Sequence, residues 1–312
     1  MFLLLQTLIF LLIIILALIQ LANIIKVSKR NKTAIKLTEK AEKAIKKGNF
    51  DSAREYLEKA VKLAPYLSEH YNKLGYIYYR HYSDVDRALD YFNKVIDIDG
   101  SDFYANYSMG YIYYYIKNDA EKAIGYIMKS IESNQGFSSS YNTLGIIYHD
   151  RKEYQKAIEY FKKAIKEWDG NLNSKNNLAV VYANIGLYDE AIGTFLELIS
   201  SGAADSLTYS NLGNCYAMKL MYDESLKYFK KALEVEPSNP YINYWAGCIH
   251  YFIQEFPEAI KYFTRSIDLK NDFALSHYNL ALAYDRAGAI EKSKDEFDKA
   301  IKLDPALAEG LR

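Results

Sequence analysis

Five histidines, His70, His81, His149, His250 and His277, lie scattered along a chain of 312 residues, and its two cysteines, Cys215 and Cys248, form no CxxC pair. Neither GxxxxGK nor GxGxxG occurs, and HExxH and GxSxG are also missing, so no short segment gathers the groups that cradle a nucleotide, ligate zinc or present a nucleophile. His149 and Asp150 adjoin, but neighbours on a helix point about 100° apart, and no catalytic pair is expected from them. Two isolated thiols build neither a disulfide framework nor a metal site. No catalytic residue, cofactor or metal ligand is therefore expected. The residue in excess is tyrosine, 31 of them. A phenol combines broad contact area with a polar tip, and a side-chain amide offers donor and acceptor together, so tyrosine and asparagine at fixed spacing suit the binding of another polypeptide.

The elements that would position these side chains follow from periodicity. Small residues recur at Ala41, Gly75, Gly110, Gly145, Ala179, Gly213, Gly247 and Ala281, at steps of 34 or 35. A second small column runs Ala53, Ala88, Ala123, Ala157, Ala191, Ser225, Ala259 and Ser293. Three residues after each landmark of the first column, on the same helical face, stand Ala44, Tyr78, Tyr113, Tyr148, Tyr182, Tyr216, His250 and Tyr284. Leu57, Phe92, Ile127, Phe161, Phe195, Phe229, Phe263 and Phe297 form a large apolar column, and Pro65, Pro237 and Pro305 mark places where helices must stop. Each period reads as two amphipathic helices joined by a short turn such as Lys47-Gly48-Asn49-Phe50. Small residues let the two helices approach closely, the aromatics fill the wider space beside them, and each hairpin needs its neighbours to cover its apolar face. Gly is only 15 and Pro only 5, too few for a fold rich in β-turns.

This pattern resembles the tetratricopeptide repeat, a helix–turn–helix of 34 residues marked by aromatic, Leu-Gly, Tyr, Ala, Phe, Ala and Pro at set offsets. The fourth repeat carries Tyr141, Leu144-Gly145, Tyr148, Tyr154, Ala157, Phe161 and Ala164, and the sixth carries Tyr209, Leu212-Gly213, Tyr216, Tyr222, Phe229, Ala232 and Pro237. The resemblance covers about residues 34–305 and implies an all-α fold, an α-solenoid of about eight such repeats. Repeats two and three hold one extra residue between their helices, within Arg80–Arg87 and Tyr115–Lys122. After Pro305 only seven residues remain, which either cap the last hairpin or leave its face to dock another chain.

In that family the first helices of successive repeats line a groove that binds peptides or helices of partner proteins. The resemblance thus implies a protein or peptide ligand, and the positions one and four after each small landmark, and two and three before it, face the groove. They include Asn72, Lys73, Tyr76 and Tyr79, then Tyr107, Tyr111 and Tyr114, then Thr143 and His149, with Arg80 and Tyr115, five after their landmarks, counted beside them. Further along come Asn177, Ser210, Asn211, Asn214, Tyr244, Trp245 and Asn279. Asn177, Asn211 and Asn279 share one column, like the asparagine ladder by which some members of the family hold a peptide main chain. Asn72, Tyr76 and Tyr104 stand where the family's carboxylate clamp needs Lys, Asn and Arg, so that ligand class is disfavoured.

The first 25 residues are of another kind. Phe2–Ile25 carry no charge, and such a helix spans about 36 Å, enough for a hydrocarbon core of about 30 Å. No basic n-region or small-residue cleavage site marks it as a removable signal. Residues 1–25 are expected to anchor the chain, 26–33 to be a basic juxtamembrane linker, and 34–312 to form the repeat domain. Lys26, Lys29, Arg30 and Lys32 follow the span, which places the N-terminus outside and the repeats in the cytoplasm, with a bacterial inner membrane expected. Lys+Arg and Asp+Glu are both 39, which gives no field for nucleic acid. The expected function is a membrane-anchored scaffold binding proteins or peptides; a self-assembling membrane scaffold, pairing through its C-terminal repeat, and an organelle import receptor are the alternatives.

Overall fold

The computed structural model describes the backbone of residues 2–168 and 170–311 and the side chains of 13–168 and 170–308. Every regular element among them is a helix. The chain divides into two compact units, Met1–Ile147 and Tyr148–Arg312. The first contains α1 (Phe2–Lys46), α2 (Phe50–Leu63), α3 (Ser68–Arg80), α4 (Val85–Ile98), α5 (Phe103–Tyr115), α6 (Ala120–Ser133) and most of α7 (Ser138–Asp150). The second contains α8 (Tyr154–Glu167), α9 (Leu172–Asn184), α10 (Tyr188–Ser200), α11 (Ser206–Met218), α12 (Tyr222–Val235), α13 (Pro240–Phe252), α14 (Phe256–Leu269), α15 (Ala274–Arg286) and α16 (Ile290–Leu303). Within each unit helices pack on their neighbours in sequence, and in the second unit the first helices α9, α11, α13 and α15 also touch in series.

The small columns have the steric cause that the pattern implies. A Cβ on Gly75 would lie 2.7 Å from the Phe92 ring, one on Gly110 2.6 Å from Ile127, and one on Gly247 2.8 Å from Phe263. Even alanine is too large there, so the closest helix crossings are set by bare backbone against a buried ring or Ile side chain. Phe92, Phe195, Phe229 and Phe263 are fully buried at the centre of their hairpins.

The turns between paired helices share one device. The second residue after the helix takes a left-handed conformation, and the next amide reaches back to the aromatic column. Leu187 N donates to Tyr182 O, Met221 N to Tyr216 O, Glu255 N to His250 O and Ala289 N to Tyr284 O, each at 2.9 Å. These are Schellman closures of the helix end. Glycine fills the left-handed place at Gly48, Gly186 and Gly288, but Lys152, Leu220 and Gln254 hold it at φ of 62°, 60° and 66°. The extra residue of repeats two and three is absorbed here: His81–Asp84 and Ile116–Asp119 make four-residue turns, with Ser83 and Asn118 at positive φ. Asp84 and Asp119 then cap the following helices by accepting from Arg87 N and Lys122 N.

Leu220 has no packing reason for its conformation, being 70% exposed. A non-glycine residue in this region costs about 1–2 kcal/mol, so Leu220→Gly is expected to stabilise the second unit by about 1 kcal/mol after the entropy gained by the unfolded glycine is subtracted. Calorimetry checks this; an unchanged or lower midpoint would show that the turn carries no strain.

At the N-terminus α1 runs unbroken through residues 26–33, which contain no Gly or Pro, so the expected linker is helical. Among the described residues no helix is long and apolar enough to cross a membrane. The side chains of residues 1–12, about half of the expected anchor, lie outside the described residues, while those of Ile13–Ile25 are exposed. At the other end, Pro305–Leu311 forms a 3-10 turn beside the end of α16.

Candidate functional site

Catalytic chemistry finds no constellation among the described residues. No group of three His, Cys, Asp or Glu side chains there could hold a metal ion. His149 and Asp150 do not diverge as helical neighbours should: His149 Nδ1 lies 2.9 Å from Asp150 Oδ1, Asp150 being the last residue of α7. The other ring nitrogen lies 2.9 Å from Asn184 Nδ2, so both are engaged. Burial pushes the Cys215 thiol up to about 11 and the Cys248 thiol to about 12, so neither is a thiolate nucleophile near neutrality.

Most of the surplus tyrosine is architectural. Besides the column after the small landmarks there is a second one on the partner helices, Tyr91, Tyr126, Tyr160, Tyr228 and Tyr262, at the same period. The two columns stack ring on ring: Tyr113 on Tyr126 (5.5 Å, 7°), Tyr148 on Tyr160 (5.4 Å, 4°), Tyr216 on Tyr228 (5.4 Å, 1°) and His250 on Tyr262 (5.1 Å, 12°). Lys122, Lys156 and Lys231 lie over Tyr113, Tyr148 and Tyr228, covering the pairs with cations. The regular spacing of Tyr91 to Tyr262 was a signal for these pairs.

Five tyrosines outside those stacks line the candidate site of the first unit. Tyr76, Tyr79 and Arg80 on α3 and Tyr104, Tyr107, Ser108 and Tyr111 on α5 line one cleft of ≈ 210 Å³, floored by Phe92 and Ile112. The rings brace one another: Tyr79 meets Tyr111 edge-on at 6.1 Å, and Tyr107 lies 6.0 Å from Tyr111 and 5.0 Å from Phe137. Tyr115 packs at 4.4 Å on Tyr111, and Tyr114 at 4.8 Å on Tyr115. Burial pushes the phenols of Tyr79, Tyr104 and Tyr107 above their usual range, so they stay protonated and can donate. Tyr104 escapes an offset count of four positions, although six before the small landmark falls within about 20° of one after it.

A second cleft of ≈ 540 Å³ adjoins through Tyr76 and Tyr104, and here Lys73 is paired. Lys73 Nζ sits 2.8 Å from Glu42 and 3.4 Å from Glu69, and its hydrogen bond holds the Glu42 carboxyl below the usual carboxylate range. Asn72 donates to Asp102 at 3.0 Å.

In the second unit the asparagine column is divided. Asn211 and Asn214 line a cleft of ≈ 290 Å³ with Asn184, Tyr188 and Met218, and Asn177 is half-buried. Asn279, however, donates to the Tyr244 hydroxyl at 2.9 Å. Tyr244 is not a surface residue as expected; it is 8% exposed, enclosed by Phe263 and Phe273. Trp245 stays on the surface, edge-on to Tyr244 at 5.1 Å. Thr143 and Ser210, also expected on the open face, are buried.

Tetratricopeptide repeat models match residues 38–103, 138–168, 206–239 and 274–307, together more than half of the chain. Comparison with curated proteins finds no match. Among solved structures, a tetratricopeptide repeat protein from Parabacteroides merdae is 19% identical with a TM-score of 0.57, covering 81% of this chain and 99% of that one. PilF of Pseudomonas aeruginosa is 16% identical with a TM-score of 0.60, covering 67% and 94%. The APC/C hetero-tetramer Cut9–Hcn1 is 18% identical with a TM-score of 0.60, covering 81% and 53%. At these identities the likeness is one of fold. The repeat columns, the hairpins they build and the matching repeat models agree: the chain belongs to the tetratricopeptide repeat family.

Proposed function

We propose that this protein is a membrane-anchored scaffold that captures a protein or peptide segment on the first-helix face of its repeats. The observation that carries the reading is the cleft between α3 and α5. Five tyrosines converge there on an apolar floor, an arrangement that the hairpin cores do not require. Rigid aromatic side chains give contact area at small entropy cost, which is what a binding surface needs. The uncharged run Phe2–Ile25 followed by Lys26, Lys29, Arg30 and Lys32 supports anchoring with the repeats on the cytoplasmic side. Scattered histidines and high thiol pKa values favour binding over catalysis.

Crosslinking capture from native membranes tests this. Wild-type protein is expected to retain partners that a Tyr107→Ala, Tyr111→Ala double variant loses by tenfold or more, while both sediment alike. Equal capture by the two would refute the cleft as the binding surface.

A further inference from the structure

We infer that the tyrosine cleft recognises an extended peptide through an aspartate or glutamate side chain, which pairs with Arg80. This rests on reading the cleft as a peptide site and names the ligand chemistry. Arg80 stands at the last turn of α3, exposed, and lines the cleft beside Tyr79 and Tyr104. Its charge is felt by the hydroxyls of both tyrosines.

Three other cations of the first unit are satisfied. Lys73 has Glu42 and Glu69, Arg87 has Asp84 and the ring of Tyr78, and Arg54 has Glu58 and the ring of Tyr82. Arg80 has no acidic side chain within ion-pair distance and no ring beneath it among the described residues. A place near a helix C-terminus favours a cation by about 0.3–1 kcal/mol, which explains a positive residue but not an unpaired one inside an aromatic cleft. No carboxylate lines that cleft, and every polar group on its wall, phenol, hydroxyl or guanidinium, can donate a hydrogen bond. A wall of donors with one planar cation complements an acceptor carrying negative charge, and a guanidinium meets a carboxylate through two parallel bonds. The tyrosine faces on either side then hold the flanking main chain.

The test uses full-length protein in detergent micelles and decapeptide mixtures labelled with an uncharged BODIPY dye, amidated so that side chains supply the only carboxylates. Each mixture fixes one residue, Asp, Glu, Asn, Gln, Lys or Phe, at one position. Fluorescence anisotropy is expected to show mixtures with fixed Asp or Glu binding about tenfold tighter than their Asn and Gln counterparts. Arg80→Gln should abolish that preference, and Arg80→Lys should keep part of it. Binding without an acidic preference, or an acidic preference that survives Arg80→Gln, overturns this inference and leaves the cleft as a peptide site. No mixture binding more tightly to wild type than to the Tyr107→Ala, Tyr111→Ala variant overturns the peptide site itself. Because Arg80 is exposed and packs in no core, circular dichroism should be the same for all Arg80 variants.

Discussion

Gly247→Ala is expected to destabilise the protein by about 1–3 kcal/mol, even though alanine is the better helix former by about 1 kcal/mol. The new methyl would lie 2.8 Å from two ring carbons of Phe263, and that ring is fully buried, so it cannot swing away. Gly193→Ala in α10 is the control, since nothing lies within 4 Å of a Cβ there, and it should stabilise by about 0.5–1 kcal/mol. Phe263→Ala should cost about 3–5 kcal/mol by opening a cavity. Combining Gly247→Ala with Phe263→Leu, which gives the methyl room, should cost less than the sum of the single changes, a coupling of about 0.5–3 kcal/mol. Urea unfolding followed by circular dichroism measures all of these. A Gly247→Ala protein as stable as the Gly193→Ala one would show that ring and backbone do not set the crossing distance.

Acidification below neutrality is expected to loosen the first unit through His70. This side chain is 1% exposed, with Nδ1 2.9 Å from Thr38 Oγ1 and Nε2 buried without a partner. Thr38 donates its own hydrogen to Ala34 O, so Nδ1 carries the ring hydrogen and a second proton would have to sit on the buried Nε2. Burial therefore lowers the His70 pKa below 6.5; Glu69 opposes the shift and Lys73 adds to it. The sign follows from proton uptake. As pH falls through 6.5 the unfolded chain binds a proton that the folded one resists, so stability present at higher pH is lost on the way down toward the depressed folded value. Thermal midpoints measured between about pH 7.5 and pH 5 should fall, and His70→Ser should flatten that slope, because Ser140, Ser174 and Ser276 fill the same column in other repeats. A slope unchanged by the substitution would place the sensitivity elsewhere.

The hairpins were legible because their cause is periodic: a small residue every 34 or 35 positions can be read without knowing what presses on it. That Phe92 and Phe263 press on Gly75 and Gly247 follows from the same columns. The turn conformations were not legible, because Lys152, Leu220 and Gln254 look like ordinary surface residues and take a left-handed φ only since the helix end closes as it does at Gly48, Gly186 and Gly288. Half of the candidate face was legible. Tyr76, Tyr79, Tyr107 and Tyr111 line the α3–α5 cleft as helical offsets implied, and Arg80, five after its landmark, lines it with them. Tyr244 failed because the amide of Asn279 and the ring of Phe273, both from the following repeat, close over it, a contact between repeats that no single-helix count contains.

Because the main helix contacts among the described residues of each unit are between near neighbours in sequence, the order of synthesis is also an order of assembly. A hairpin leaving the ribosome finds its docking surface already made by the hairpin before it, and waits for nothing further downstream. The exposed interval between translation and burial is then one repeat long, whatever the number of repeats, so lengthening such a chain adds binding surface without lengthening the time that any apolar stripe stays open to chaperones or aggregation.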